Sequence, residues 1–162
     1  MKTLIIYSSK TGTTEKAAKK LAGLMEHETN IVRVKDFDTE GFSRYDSVII
    51  GSAVRVGTAL KESRSFVSRN LIQLLEKKLA VFLCMADEEG RLDDYLSKSY
   101  PREFLDACLV KGSFGGEINF EKMGFFLRGF MKKMMKDKEA PELREDSIKA
   151  FAQEFAQKIG SK

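Results

Sequence analysis

The chain has 162 residues, 43% of them hydrophobic, and 28 Lys and Arg against 24 Asp and Glu give it a net charge of +4. That length suits one domain with a real core, and the apolar share excludes wholesale disorder. Cys84 and Cys108 form neither a metal-ligand spacing nor a disulfide framework, which points to a reducing, cytosolic setting, and no apolar run approaches the roughly 20 residues that span a bilayer or resembles a signal peptide.

In chain order, Thr3–Tyr7 reads as a first strand. Thr13 to about His27 reads as a helix with Ala17, Leu21, Leu24 and Met25 as its apolar stripe, and Ile31–Val34 as a second strand. Tyr45–Gly51 supplies a third, whose Val48, Ile49 and Ile50 lack alternation, as suits a strand covered on both faces. A helix is expected from Leu60 to Lys77, then a fourth strand at Leu79–Cys84 and an acidic loop over Asp87–Asp94. Pro101, tolerated in a first turn, opens a helix to about Cys108. Leu109–Phe114 is a fifth strand, and Ser147–Ile159 closes the chain as a helix with Ile148, Phe151, Phe155 and Ile159 on one face. Strands alternating with helices mean an α/β fold, a parallel sheet with helices on both faces, in a single domain over 1–162. Ligands of such sheets sit beyond the carboxyl ends of the strands, near the reversal of strand order. Three turns rich in glycine or hydroxyls fall there: Ser8–Thr14, Gly51–Gly57 and Ser113–Gly116.

The first of these turns reads YSSKTGTT over 7–14 and places five hydroxyls, Ser8, Ser9, Thr11, Thr13 and Thr14, at the seam of strand and helix. One N-cap needs one such side chain, so the surplus points to a ligand with several acceptor oxygens. Backbone N–H groups around Lys10–Thr14, backed by the helix dipole, make an anion site. Gly12 lets the chain curl closely round it, Ser9, Thr11 and Thr14 add donors, and Lys10 faces water. The GxxxxGK[ST] and GxGxxG loops are absent, so a terminal phosphate monoester is favoured over a pyrophosphate.

Ser9, Thr11, Gly12 and Thr14 match the [ST]xTGxT loop after strand one, and in this the chain resembles the flavodoxin family. The resemblance implies a flavodoxin-like three-layer sandwich with a five-stranded parallel sheet, order 2-1-3-4-5, and FMN as cofactor. By this likeness Ser9, Lys10, Thr11, Gly12, Thr13 and Thr14 cradle the FMN phosphate. Ser52, Ala53, Val54, Arg55, Val56 and Gly57 line one side of the isoalloxazine, and Cys84, Met85, Ala86, Asp87, Glu88 and Gly90 the other. GSAVRVG after strand three, FGGEINF after strand five and the following MGFFLRGFMKKMM are similar to the flavodoxin-like protoporphyrinogen oxidases of bacteria. That likeness implies an oxidoreductase passing electrons from a porphyrinogen toward a quinone. The alternatives are a soluble flavodoxin-type electron shuttle and an interaction module with weak or lost flavin binding. The chain departs from electron-carrying flavodoxins in being basic and in offering Val54, Arg55 and Val56 where those place aromatic rings, which should expose more of the flavin. Arg55 is the candidate to balance charge on reduced flavin or to hold a carboxylate-bearing substrate, the alternative being an exposed loop arginine.

An inserted segment of about 117–138 carries an amphipathic helix over 120–136. Phe120, Met123, Phe126, Leu127, Phe130, Met131, Met134 and Met135 gather on one face, with Phe125 among the charges of the other. It either covers the sheet edge, with methionines as filling, or meets an anionic membrane surface or partner protein. The partners expected are therefore a redox protein or a quinone, with peripheral contact at the inner face of the cell membrane through 120–138, and no nucleic acid. His27 has no ligand company, and the Asp87–Asp94 carboxylates lack a second cluster to complete a metal cage, so no metal is expected.

Overall fold

Successive side chains of a strand point to opposite faces, so a strand sandwiched between two helical layers must be apolar at every position. The computed structural model, which describes residues 1–86, 89–116, 124–134 and 142–160, shows this in its central strands. Leu4, Ile6, Val48, Ile50, Leu79, Val81 and Leu83 feed one core, while Ile5, Tyr7, Ile49, Ala80 and Phe82 feed the other.

The strands are β1 (Lys2–Ser8), β2 (Glu28–Arg33), β3 (Ser47–Arg55), β4 (Thr58–Ala59), β5 (Lys78–Cys84) and β6 (Cys108–Ser113). The helices are α1 (Thr13–Gly23), α2 (Lys61–Arg69), α3 (Leu71–Leu75), α4 (Leu92–Ser99), α5 (Arg102–Ala107), α6 (Phe125–Met134) and α7 (Glu145–Gly160). Five strands run parallel in the order β2-β1-β3-β5-β6, which is the expected order once the short β4, antiparallel to β3, is counted. Ala17, Ala18 and Leu21 of α1 and Ile148, Phe151, Phe155 and Ile159 of α7 cover one face; Phe66, Val67, Leu74, Tyr95, Leu96 and Phe104 from α2 to α5 cover the other. The chain thus forms the three-layer α/β sandwich.

Several boundaries differ from the sequence reading. The first helix stops at Gly23, not near His27, because Leu24 points to solvent and its N–H closes back on the Leu21 carbonyl at 3.0 Å. The helix expected over 60–77 divides at Asn70, whose Nδ2 donates to the Phe66 carbonyl at 2.8 Å and competes with the helical ladder. The acidic stretch is not all loop. Asp93 and Asp94 lie in the first turn of α4, where carboxylates favour the positive end of the helix, and Asp94 pairs with Lys98 at 2.7 Å. The third strand runs past Gly51 to Arg55 and returns as β4.

His27 lies at the amino-terminal edge of the sheet, its Nε2 2.5 Å from Thr3 Oγ1, which in turn bonds Ser47 Oγ at 2.6 Å. Burial lowers its pKa from the ordinary histidine range. In the inserted segment, α6 buries none of its side chains, so among the described residues it does not cover the sheet edge as filling. Phe125, Phe126, Leu127, Phe130 and Met134 are all exposed. Phe120, Met123 and Met135 lie outside the described residues. No helix of the described residues is long and apolar enough to cross a membrane.

Candidate functional site

β1 and β3 are neighbours, but the chain leaves β1 toward β2 and leaves β3 toward β5, so strand order reverses between them and a crevice opens at their carboxyl ends. The Ser8–Ser52 register pair marks its floor.

On the β1 side, Gly12 sits at the N-cap of α1 with φ 93°, a left-handed conformation that glycine adopts without cost. A glycine cannot cap through a side chain, so the N-cap residue itself leaves the first-turn donors unsatisfied. The first-turn N–H groups are thus presented to whatever fills the curl. Ser9 Oγ accepts the Gly12 N–H at 3.0 Å and so shapes the curl itself, while Thr11 Oγ1 and Thr13 Oγ1 lie 3.4 Å apart. Ser8 Oγ and Thr14 Oγ1 are buried with no hydrogen-bond partner. An orphaned buried hydroxyl costs about 1–3 kcal/mol. Two at the base of one curl, beside an uncapped helix start, are what an anion with several acceptor oxygens would satisfy, so the residues fit a phosphate monoester. Lys10 and Thr11 are exposed at the rim. In the first turn of α1, Glu15 is held below the usual carboxylate range, chiefly by a hydrogen bond from Lys19 at 2.7 Å.

On the β3 side, the expected loop is a tight hairpin. Ser52 Oγ accepts the Leu60 N–H at 3.0 Å and donates to the Ala53 carbonyl at 2.9 Å, so its hydroxyl fastens the hairpin root. Ser99 Oγ accepts the Ala59 N–H at 2.8 Å and fastens the return strand. Val54 pairs with Ala59, and Arg55 with Thr58. At the tip, Val56 and Gly57 both have positive φ, 52° and 75°, as a two-residue hairpin of this twist requires. Tyr95, the first aromatic after the fourth predicted strand, is buried beneath the tip, 3.4 Å from where a Cβ on Gly57 would lie, and so supports the hairpin instead of presenting a face to the crevice. Val56 is 95% exposed, and a β-branched residue in this conformation is strained. Val56→Asn is expected to raise stability by about 1 kcal/mol, read as a higher urea midpoint at unchanged slope.

The third wall is the edge of β5 and β6. Cys84 belongs to the core under α1 and α7, and Met85 to the opposite core, so both side chains are committed and the backbone faces outward. The Met85 N–H donates to the Gly115 carbonyl at 2.9 Å, and a Cβ on Gly116 would lie 3.0 Å from the Ala86 nitrogen, so the two loops meet backbone to backbone. Ala86 and Gly90 are exposed; Asp87 and Glu88 lie outside the described residues. Cys108 sits in the opposite layer, where burial pushes its thiol up to about 12. Burial likewise raises the Tyr100 phenol, whose hydroxyl is 2.7 Å from Ser63 Oγ.

Arg55 is exposed and lines a groove of about 1210 Å³ that starts at Ser9 and Lys10 and runs outward between the end of β2 and α2. The sequence reading had not connected Arg33, Lys35, Lys61, Arg64 and Arg69, which line it too. The signal available was the spacing of the last three along one helix.

The profile described as Flavodoxin domain matches residues 4–144. Protoporphyrinogen IX dehydrogenase (quinone) of Escherichia coli strain K12 is 26% identical over 149 residues, covering 84% of this chain and 80% of that protein. Among solved structures, two-electron reduced flavodoxin of Megasphaera elsdenii superposes with a TM-score of 0.61 at 15% identity, over 96% of this chain and 98% of that one. Oxidised Flavodoxin 2 of Bacillus cereus does so with a TM-score of 0.54 at 22% identity, over 98% and 99%. At such identities the likeness to these structures concerns the fold alone. The profile, however, spans most of the chain and includes the hydroxyl-lined curl, the hairpin and both loops of the crevice: the chain belongs to the flavodoxin family.

Proposed function

We propose that this chain binds FMN in the crevice and carries electrons between protein partners. The observation behind the cofactor is the pair of orphaned hydroxyls, Ser8 and Thr14, below an uncapped helix start. They would hold the FMN phosphate with the N–H groups of Thr13 and Thr14, while the Val56–Gly57 tip and the Met85–Ala86 backbone flank the ring. FMN supplies reversible one- and two-electron chemistry when bound. The protein's own part is to fix the phosphate, leave one approach open and set the local charge. The carrier reading is supported by the character of that approach: exposed Lys10, Arg55 and Lys61 line it, whereas a small apolar substrate calls for an enclosed, mostly apolar chamber.

A second reading, a porphyrinogen dehydrogenase delivering electrons to a quinone, is favoured by the Escherichia coli relative. The exposed Phe and Met side chains of α6, beside Lys132 and Lys133, support it as well, since such a helix suits an anionic membrane surface. One experiment separates the two. The FMN-loaded protein is mixed with a reduced flavoprotein reductase, and separately with protoporphyrinogen plus a quinone analogue, while flavin absorbance is followed. Rapid reduction by the reductase and no porphyrin formation is expected. Porphyrin formation without reduction by the reductase would replace the carrier with the dehydrogenase.

A further inference from the structure

The groove beside the crevice carries a charge imbalance, most of it beyond the curl and the walls of the ring. Arg33 ends β2 and Lys35 lies in the turn just after it, Arg55 comes from the hairpin, and Lys61, Arg64 and Arg69 from α2, against one carboxylate in the lining, Glu62. None of the six pairs with a carboxylate within ion-pair distance among the described residues. Arg33, Arg64 and Arg69 donate to the backbone carbonyls of Ser9, Ala59 and Ser65, and Arg33 also lies over the Tyr7 ring, 5.8 Å from its centroid. Leu60, the N-cap of α2, offers no side-chain cap, and the helix adds the positive end of its dipole to the same space. Cations gathered from three separate elements sum to a positive field over the groove, which attracts and orients a negative partner.

We propose that this groove docks an acidic segment of a protein partner next to the flavin; that the partner exchanges electrons there rests on the carrier reading. The character of the groove selects that class of occupant. Its cationic lining, with Lys35, Lys61 and Arg69 exposed, is unlike the enclosed apolar pocket that holds a small molecule. None of its lining residues is aromatic, so it offers no platform on which nucleic-acid bases would stack. Complementary charge is how one protein steers and orients another, and Ser9 and Lys10 at the groove's inner end bring that partner to the phosphate curl.

The test uses the FMN-loaded full chain and a fluorescein-labelled peptide of alternating Glu and Ser, read by fluorescence anisotropy at low salt. Saturable binding is expected, weakening about tenfold or more when salt reaches physiological strength, because exposed charges are screened. Lys35→Glu with Lys61→Glu should weaken it by a further factor of about ten or more, while FMN affinity, measured by flavin fluorescence, stays unchanged. Lys132→Glu with Lys133→Glu on α6 should leave peptide binding intact. Equal peptide binding by the groove variant and the parent overturns the proposal, as does a DNA duplex or citrate displacing the peptide at a lower concentration than an unlabelled copy of it. Failure of the parent protein to bind FMN while groove-dependent peptide binding persists would remove the flavin reading and leave the docking surface standing.

Discussion

Thr14→Val is expected to weaken FMN binding about 10- to 100-fold while making the flavin-free protein more stable by about 1 kcal/mol. The two effects share a cause. Thr14 Oγ1 is fully buried with no partner, so without a ligand it is a desolvated hydroxyl that valine, of the same shape, replaces at a gain. With a phosphate in the curl, the same hydroxyl becomes a donor to a charged group, worth about 1.5–3 kcal/mol. Flavin fluorescence titration gives the first quantity and a urea midpoint without FMN the second. A variant that binds FMN as tightly as the parent would remove Thr14 from the cradle. Opposite signs distinguish a binding role from a merely structural one, since loss of a structural hydrogen bond lowers stability with or without ligand. The stabilisation conferred by saturating FMN should shrink in step with the lost affinity.

Gly51→Ala should cost about 3 kcal/mol of stability. Gly51 is paired with Phe82 across β3 and β5, and a Cβ there would lie 2.3 Å from the tip of the Phe82 ring and under 3 Å from both flanking ring carbons. A phenylalanine at the surface would swing aside. Phe82 cannot: it is fully buried, stacked on Phe114 with centroids 4.5 Å apart and set edge-on to Phe151 at 6.3 Å. The gain of about 0.5–1 kcal/mol that alanine brings over glycine in a strand is too small to offset that clash. Adding Phe82→Leu to Gly51→Ala should recover part of the loss, as a double-mutant cycle with favourable coupling. A Gly51→Ala protein as stable as the parent would mean that the ring has room the packing does not show.

Local pattern made the sheet and the curl readable. Val48, Ile49 and Ile50, without alternation, announced a strand buried on both faces, and each feeds the core opposite to its neighbour's. The crowd of hydroxyls after β1 announced an anion, although which of them shape the curl and which are left for a ligand emerged only from geometry: Ser9 bonds Gly12, while Ser8 and Thr14 bond nothing. Ser8, mentioned among the hydroxyls but not placed in the cradle, gave no local sign of being an orphan. The hairpin was hidden because Val-Gly is a poor signature for a turn needing two positive φ values, and tertiary bonds from Ser52 and Ser99 impose it. Asn70 looked like an ordinary helical residue until its amide engaged the Phe66 carbonyl. The basic groove was illegible for another reason. Its cations sit at 33–35, 55 and 61–69, stretches separated in the chain that only the fold assembles, whereas the amphipathic segment over 120–136 shows in one continuous stretch.

The roots of the β3–β4 hairpin have a bearing on speed. Leu60, Ala59 and Ala53 are tied by Ser52 and Ser99, so the wall beside the crevice is anchored on both legs and has no slack with which to swing over a guest. A redox centre behind a static wall needs no conformational gate before each transfer, and fixed dipoles around it have little rearranging to do when charge arrives or departs. On the carrier reading, turnover would then follow the frequency of productive collisions, a quantity governed by diffusion and ionic strength.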